Sequence, residues 1–274
     1  MLGHRLVGSP AASAAHVAIV TNDWLSDTST WDGLLPLLAA SPVRLCLADL
    51  RGYGLARDRE GACTIEEAAG DVLELAAALG WERFAVVGHS MSSLIALHVA
   101  QIAPERVTRA VVIGPPPPAG LGYDDATFAA VRALALGDDE ARLRFLRVIW
   151  SDRLSEGWTR FKLAEWRRTS RAEAVAEYAA LFGRRGLPEP TRTIQCPLLA
   201  VTGEHDSEPM RRDAAARGLA PIASTLGVAE IPACGHYPMQ ETPPWFLRVV
   251  ERFLCDDLGR AHALQREAPG AGGV

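Results

Sequence analysis

Six short apolar runs, separated mostly by segments of helical periodicity, dictate the class of fold open to this chain. The runs fall at 16–21, 43–48, 84–87, 110–113, 198–202 and 228–231, and the best helical patterns at 31–40, 65–79, 90–103, 207–219 and 244–258. Runs that are apolar throughout need cover on both faces, and strands that alternate with helices pair in parallel. The pattern predicts an α/β protein with a mostly parallel central sheet and helices on both faces. At 274 residues the chain is long enough for one such domain with one insertion.

The alternation breaks between 115 and 195. Gly114 and the run Pro115 to Pro118 close the fourth apolar stretch, and no strand pattern returns until after Pro197. The intervening segment is rich in Ala, Leu, Arg and Trp, and ends near Pro188 and Pro190, so the proline clusters read as two hinges of a helical insertion. The expected organisation is a core formed by 1–114 and 196–258 and a helical cap at 115–195. A tail at 259–274, with its Gly and Ala ending, is expected to fray. No internal repeat is present.

Composition narrows the function classes. A net charge of -5, with no basic stripe, offers little to a phosphate backbone, so no nucleic-acid partner is expected. The densest cations, Arg167, Arg168 and Arg171, are interleaved with Glu165 and Glu173, as on a solvated helix face. No window approaches the roughly eighteen unbroken apolar residues of a membrane span, and no membrane partner is expected. The five cysteines, Cys46, Cys63, Cys196, Cys234 and Cys255, are scattered and lack CxxC spacing. With no signal-peptide pattern in the first fifteen residues, a reducing cytoplasm is the expected location. No two histidines stand at i, i+4 on a helical pattern, so neither metal nor cofactor is expected.

Residues 84–103 read FAVVGHSMSSLIALHVAQIA: an apolar run, Gly88, Ser90 between His89 and Met91, then a helical pattern. Ser90 therefore falls on a strand-to-helix turn, where a hydroxyl faces outward and the Met91 N–H lies at a helix N-terminus able to receive an oxyanion. The same residue types also suit an ordinary serine N-cap, and Ser92 stands where GxSxG has its second glycine. A serine nucleophile needs a base, and the base an orienting carboxylate. Asp206 follows the run at 198–202, and His236 follows the run at 228–231 on a glycine-flanked loop. In a parallel sheet both would lie at the strand ends that also carry Ser90.

With GHSMS at 88–92, DLRGYG at 49–54, GEHDSEP at 203–209 and GHYPMQETP at 235–243, the chain resembles an α/β-hydrolase-fold enzyme with a helical cap over roughly residues 16 to 258. The resemblance implies Ser90 as nucleophile, Asp206 as the acid and His236 as the base, in that family's chain order. Glu204 and Asp213 are the other acids within reach of that role. His89 is expected to turn away as packing or pocket wall, Asp49 and Arg51 to hold a loop beneath the site, and His4, His98, His205 and His262 to be core or surface residues.

Two departures from the family stand out. Its oxyanion loop usually reads His-Gly and a large residue, whereas here Val20 and Thr21 are followed by Asn22, Asp23 and Trp24. The second oxyanion donor would be the Trp24 N–H beside Met91. A carboxylate at Asp23 would oppose a developing oxyanion unless it turns away, finds a partner or meets a polar substrate. The fifteen residues before the first apolar run also leave little room for a leading hairpin, so the sheet is expected to be trimmed at one edge.

The insertion's aromatics, Trp150, Trp158 and Phe161 among them, are expected to line a cavity over Ser90, with Asp23 and His89 as further substrate contacts. The expected function is hydrolysis of a small hydrophobic or ring-bearing ester or lactone through an acyl enzyme. The alternatives are non-ester chemistry with His236 and Asp206 as base, and a non-enzymatic ligand receptor. The partner is a small molecule, and the oligomeric state is open.

Overall fold

The computed structural model describes residues 1–10, 16–150 and 153–255. The expected tail at 259–274, and His262 within it, lie outside the described residues. Seven strands form one sheet: β1 (Gly3–Gly8), β2 (His16–Thr21), β3 (Val43–Asp49), β4 (Phe84–His89), β5 (Val107–Ile113), β6 (Leu198–Gly203) and β7 (Leu226–Ile231). Their order is β1-β3-β2-β4-β5-β6-β7, parallel throughout except for β1, which runs antiparallel to β3 with Gly3 opposite Asp49. β4 and β6 are buried at every position, so both faces of the sheet are covered.

β1 escapes a search for apolar runs because none of its residues is fully buried. An edge strand with one paired side has no need of a continuous apolar sequence. The sheet thus has an antiparallel edge strand where the sequence left little room for a leading hairpin.

The helical elements are α1 (Leu35–Leu38), α2 (Ile65–Ala78), α3 (Met91–Ile102), α4 (Asp125–Leu136), α5 (Asp139–Trp150), α6 (Glu156–Thr169), α7 (Ala172–Ala180), α8 (Arg212–Leu219), α9 (Pro238–Glu241) and α10 (Pro243–Cys255). Two of the predicted helices open differently. The 31–40 pattern begins as a 3-10 turn at Thr28–Leu34, capped by the Asp27 side chain, and the 207–219 pattern is split by extended backbone at Arg211. Between β5 and β6 the described chain is helical, with α4 to α7 and a π turn at Leu181–Arg185.

The topology fixes where a crevice opens. From β2 the chain passes to β3 on one side, and β4 then pairs on the other side of β2. Loops leaving the carboxyl ends of β2 and β4 diverge at that switch point, the standard location of a ligand crevice in an open α/β sheet. The loops after β6 and β7 open on the same edge.

Candidate active site

Ser90 is the single residue between the end of β4 and the start of α3, and it takes φ 54 and ψ -120. A serine in positive φ costs of order 1–3 kcal/mol and persists only where the surroundings dictate it. Here the Ser90 N–H donates to the Ile113 carbonyl at 2.7 Å. Gly88 is required because a Cβ there would collide with the Ser92 carbonyl. Ser92 fits in place of the second glycine: it is fully buried, and its Oγ accepts the His89 N–H at 3.0 Å. The small hydroxyl therefore ties the turn rather than crowding it.

Asp206 and His236 meet at the mouths of β6 and β7. His236 Nδ1 lies 3.0 and 2.9 Å from the two Asp206 carboxylate oxygens, and Asp206 Oδ1 also accepts the Ser207 N–H at 2.7 Å. Burial disfavours a charged imidazole, but the surrounding carboxylates, Asp206 foremost with Asp23 and Glu241, together outweigh it, and the His236 pKa is raised. Glu204 instead accepts the Ala233 N–H at 2.8 Å, and Asp213 is exposed on α8; among the described residues only Asp206 bonds the His236 ring. Cys234 is fully buried, and burial pushes its thiol up to about 12, which removes the thiolate a sulfur nucleophile would need.

The His236 loop is held from both sides. Glu241 accepts the N–H of Gly235 at 2.9 Å and of Tyr237 at 3.2 Å, and pairs with Arg153, whose guanidinium also donates to the Ala233 carbonyl at 3.4 Å. Sequence reasoning passed over Glu241 and Arg153. A carboxylate five residues after a histidine has no distinctive signal until the loop's amides are seen to converge on it.

Ser90, Asp206 and His236 all line one cavity of about 400 Å³. Among the described residues no hydrogen bond runs from the Ser90 hydroxyl to the His236 ring. Such contacts often tighten only when substrate is bound. The backbone N–H groups of Met91 and Trp24 likewise have no acceptor among the described residues. Met91 opens α3, so its amide sits at the positive end of that helix.

Asp23 lies on the cavity wall, with its carboxylate tied into its own loop. Its Oδ1 accepts the N–H of Leu25 at 2.6 Å and of Ser26 at 3.2 Å, and its Oδ2 accepts the Ser26 hydroxyl at 3.1 Å. Burial opposes its charge, yet His89, Lys162 and the Leu25 amide together hold its pKa below the usual carboxylate range. Asn22 fixes the loop's start by donating to the Asp23 carbonyl at 2.8 Å and accepting the Leu50 N–H at 2.8 Å.

Four expected substrate contacts lie elsewhere. His89 has no exposure and forms a layer beneath the cavity: its Nε2–H donates to the His236 carbonyl at 2.8 Å, and its ring packs 5.0 Å from those of His236 and Tyr237. Trp150 is buried against Trp158 and Tyr237, with its Nε1–H on Thr159 Oγ1 at 3.2 Å. Trp158 stacks between Trp150 and Phe161, and Phe161 is 47% exposed. None of these four is on the wall; the rings that are include Trp24, Tyr123, Phe145, Phe182 and Tyr237. Periodicity separates a helix's buried face from its wet one, but the packing of helix on helix decides which buried face borders a void.

A family model described as alpha/beta hydrolase family matches residues 22–249. The chain belongs to that family. Among solved structures of this fold, a bromoperoxidase from Bacillus anthracis superposes with TM-score 0.79 at 17% identity, covering 92% of this chain and 95% of that one. The enol-lactonase from Burkholderia xenovorans LB400 superposes with TM-score 0.76 at 22% identity, covering 93% and 96%. A serine hydrolase-like protein of Dictyostelium discoideum is 32% identical over 97 residues. That match takes in 35% of this hydrolase-family chain and spans 27% of the relative's own length.

Proposed function

We propose that this protein is a serine hydrolase of small, hydrophobic or ring-bearing esters or lactones. The observation that carries the reading is the part-buried His236–Asp206 pair, joined at 2.9 Å, facing the same cavity as a serine held in positive φ at a helix N-terminus. His236 Nε2 takes the Ser90 proton, and Ser90 Oγ attacks the carbonyl carbon. The Met91 and Trp24 N–H groups, which have no other acceptor among the described residues, receive the oxyanion. His236 then gives its proton to the leaving alkoxide, and water releases the acyl group by the same route in reverse roles. Asp206 fixes the tautomer that leaves Nε2 basic. The helical segment 115–195 acts as the cap, supplying Phe145 and Phe182 to the cavity.

The serine hydrolase-like name of the Dictyostelium relative and the lactonase among the structural neighbours agree with this reading. An active-site fluorophosphonate is expected to label the protein at Ser90, and Ser90→Ala is expected to lose labelling and at least about 1,000-fold in kcat/KM on aryl esters. Near-normal turnover by that variant would reject the covalent route.

The unbonded Ser90 hydroxyl favours one second reading, in which His236 and Asp206 act as base directly on the substrate and Ser90 only hydrogen-bonds to it. That chemistry requires Ser90→Ala to stay active while His236→Ala does not.

A further inference from the structure

The cavity over Ser90 is asymmetric in charge. Four rings on its wall pack edge to face: Trp24 lies 5.9 Å from Phe145 and 5.1 Å from Phe182, and Tyr123 lies 6.3 Å from Phe182. Apart from tyrosines, the ionisable side chains on that wall are Asp23, Asp206 and His236, and none of its described residues is Lys or Arg.

The nearby cations do not line the cavity. Lys162 is fully buried, separated from the cavity by the Tyr237 ring with Nζ 3.9 Å from its centroid, and bonds Glu165 at 2.5 Å. Arg153 is paired with Glu241, and Arg211 is exposed to solvent, with its Nε–H on the Asp206 main-chain carbonyl at 2.7 Å. A carboxylate entering with a substrate would shed its water with no Lys or Arg on the wall to receive it, and would meet the Asp23 and Asp206 carboxylates across a low-dielectric space. An uncharged ring sheds nothing polar and gains edge-to-face contacts.

We infer that the cavity accepts uncharged, ring-bearing acyl or alcohol groups and excludes anionic ones; as a statement about substrates this rests on the hydrolase reading, and as a statement about binding it does not. The test compares two near-isosteric ligands, neutral 4-phenylbutanamide and anionic 4-phenylbutanoate, titrated calorimetrically at pH 7.5 into the full-length Ser90→Ala protein. The amide is expected to bind at least about 30-fold more tightly, the ratio for one net like charge at roughly 8 Å in an effective dielectric of about 20.

Val148 lies on the same wall and is 75% exposed, so Val148→Arg places a cation at the mouth without burying it. That change, added to Ser90→Ala, is expected to narrow the ratio at least about 5-fold. Equal affinities, tighter binding of the carboxylate, or no binding of either ligand would overturn the inference, as would an unchanged ratio in the arginine variant. Fluorophosphonate labelling of the wild-type protein separates the two readings. Labelling with equal affinities sinks the charge selection alone, and charge selection without labelling sinks the hydrolase reading alone.

Discussion

At Gly114 the backbone takes φ 49, and a Cβ built there would stand 2.9 Å from both the Asp206 Oδ2 and the His236 Nδ1. Gly114→Ala therefore both strains the chain and wedges into the Asp206–His236 pair, and is expected to lower kcat at least about 100-fold while the circular dichroism spectrum stays native. The raised pKa of His236 sets a pH dependence with a definite sign. A base must be neutral to accept a proton, so the acidic limb of kcat/KM should lie above the unperturbed imidazole value of about 6.5. The same shift acts oppositely on stability: protonated His236 favours the fold below the unfolded pKa, and that contribution fades as pH rises through the folded one. Ser90, Asp206 and His236 could be named as candidates from the sequence because each follows an apolar run, and the structure brings all three to one cavity. The orientation of Asp23 could not, since its hydrogen-bond partners are amides two and three residues on, in a loop of no fixed pattern.

Short elements carry the contacts that hold the His236 loop. α9 contributes Glu241, whose carboxylate grips the amides on both sides of His236. Glu241→Gln keeps one carbonyl oxygen but loses the charge facing Arg153, and one amide is left without its acceptor. It is expected to reduce kcat about 10-fold with a smaller change in KM, and to move the acidic limb of kcat/KM to lower pH, because Glu241 is among the charges that raise the His236 pKa. A purely structural defect would leave that limb in place. The long elements were legible: β2 begins and ends where its apolar run does, and α2 starts at the predicted residue, capped by the Thr64 hydroxyl on the Glu67 amide at 3.2 Å. The 3-10 openings were not, because they depend on one or two local hydrogen bonds rather than on periodicity.

The inserted helical segment and α9 are joined through buried charge. Lys162 and Glu165 on α6 bond each other at 2.5 Å, and both reach Gln240 on α9, at 3.1 and 3.4 Å. Lys162→Met leaves the Glu165 carboxylate buried without its partner and is expected to cost about 3–5 kcal/mol by urea denaturation, most of which the double variant Lys162→Met with Glu165→Leu should recover. Glu165, expected among the charges of a solvated helix face, is instead buried at 4% exposure, because α6 packs that face against α9 through Gln240. The sequence alone determined the strand–helix alternation and the turn at Ser90, because those signals are local: burial on both faces, period 3.6, and a glycine where no Cβ fits. Tertiary structure decided which aromatics border the cavity, where Asp23 points and what clamps His236. Those outcomes depend on which surfaces meet when elements distant in sequence pack together, and no local pattern encodes the partner across the interface.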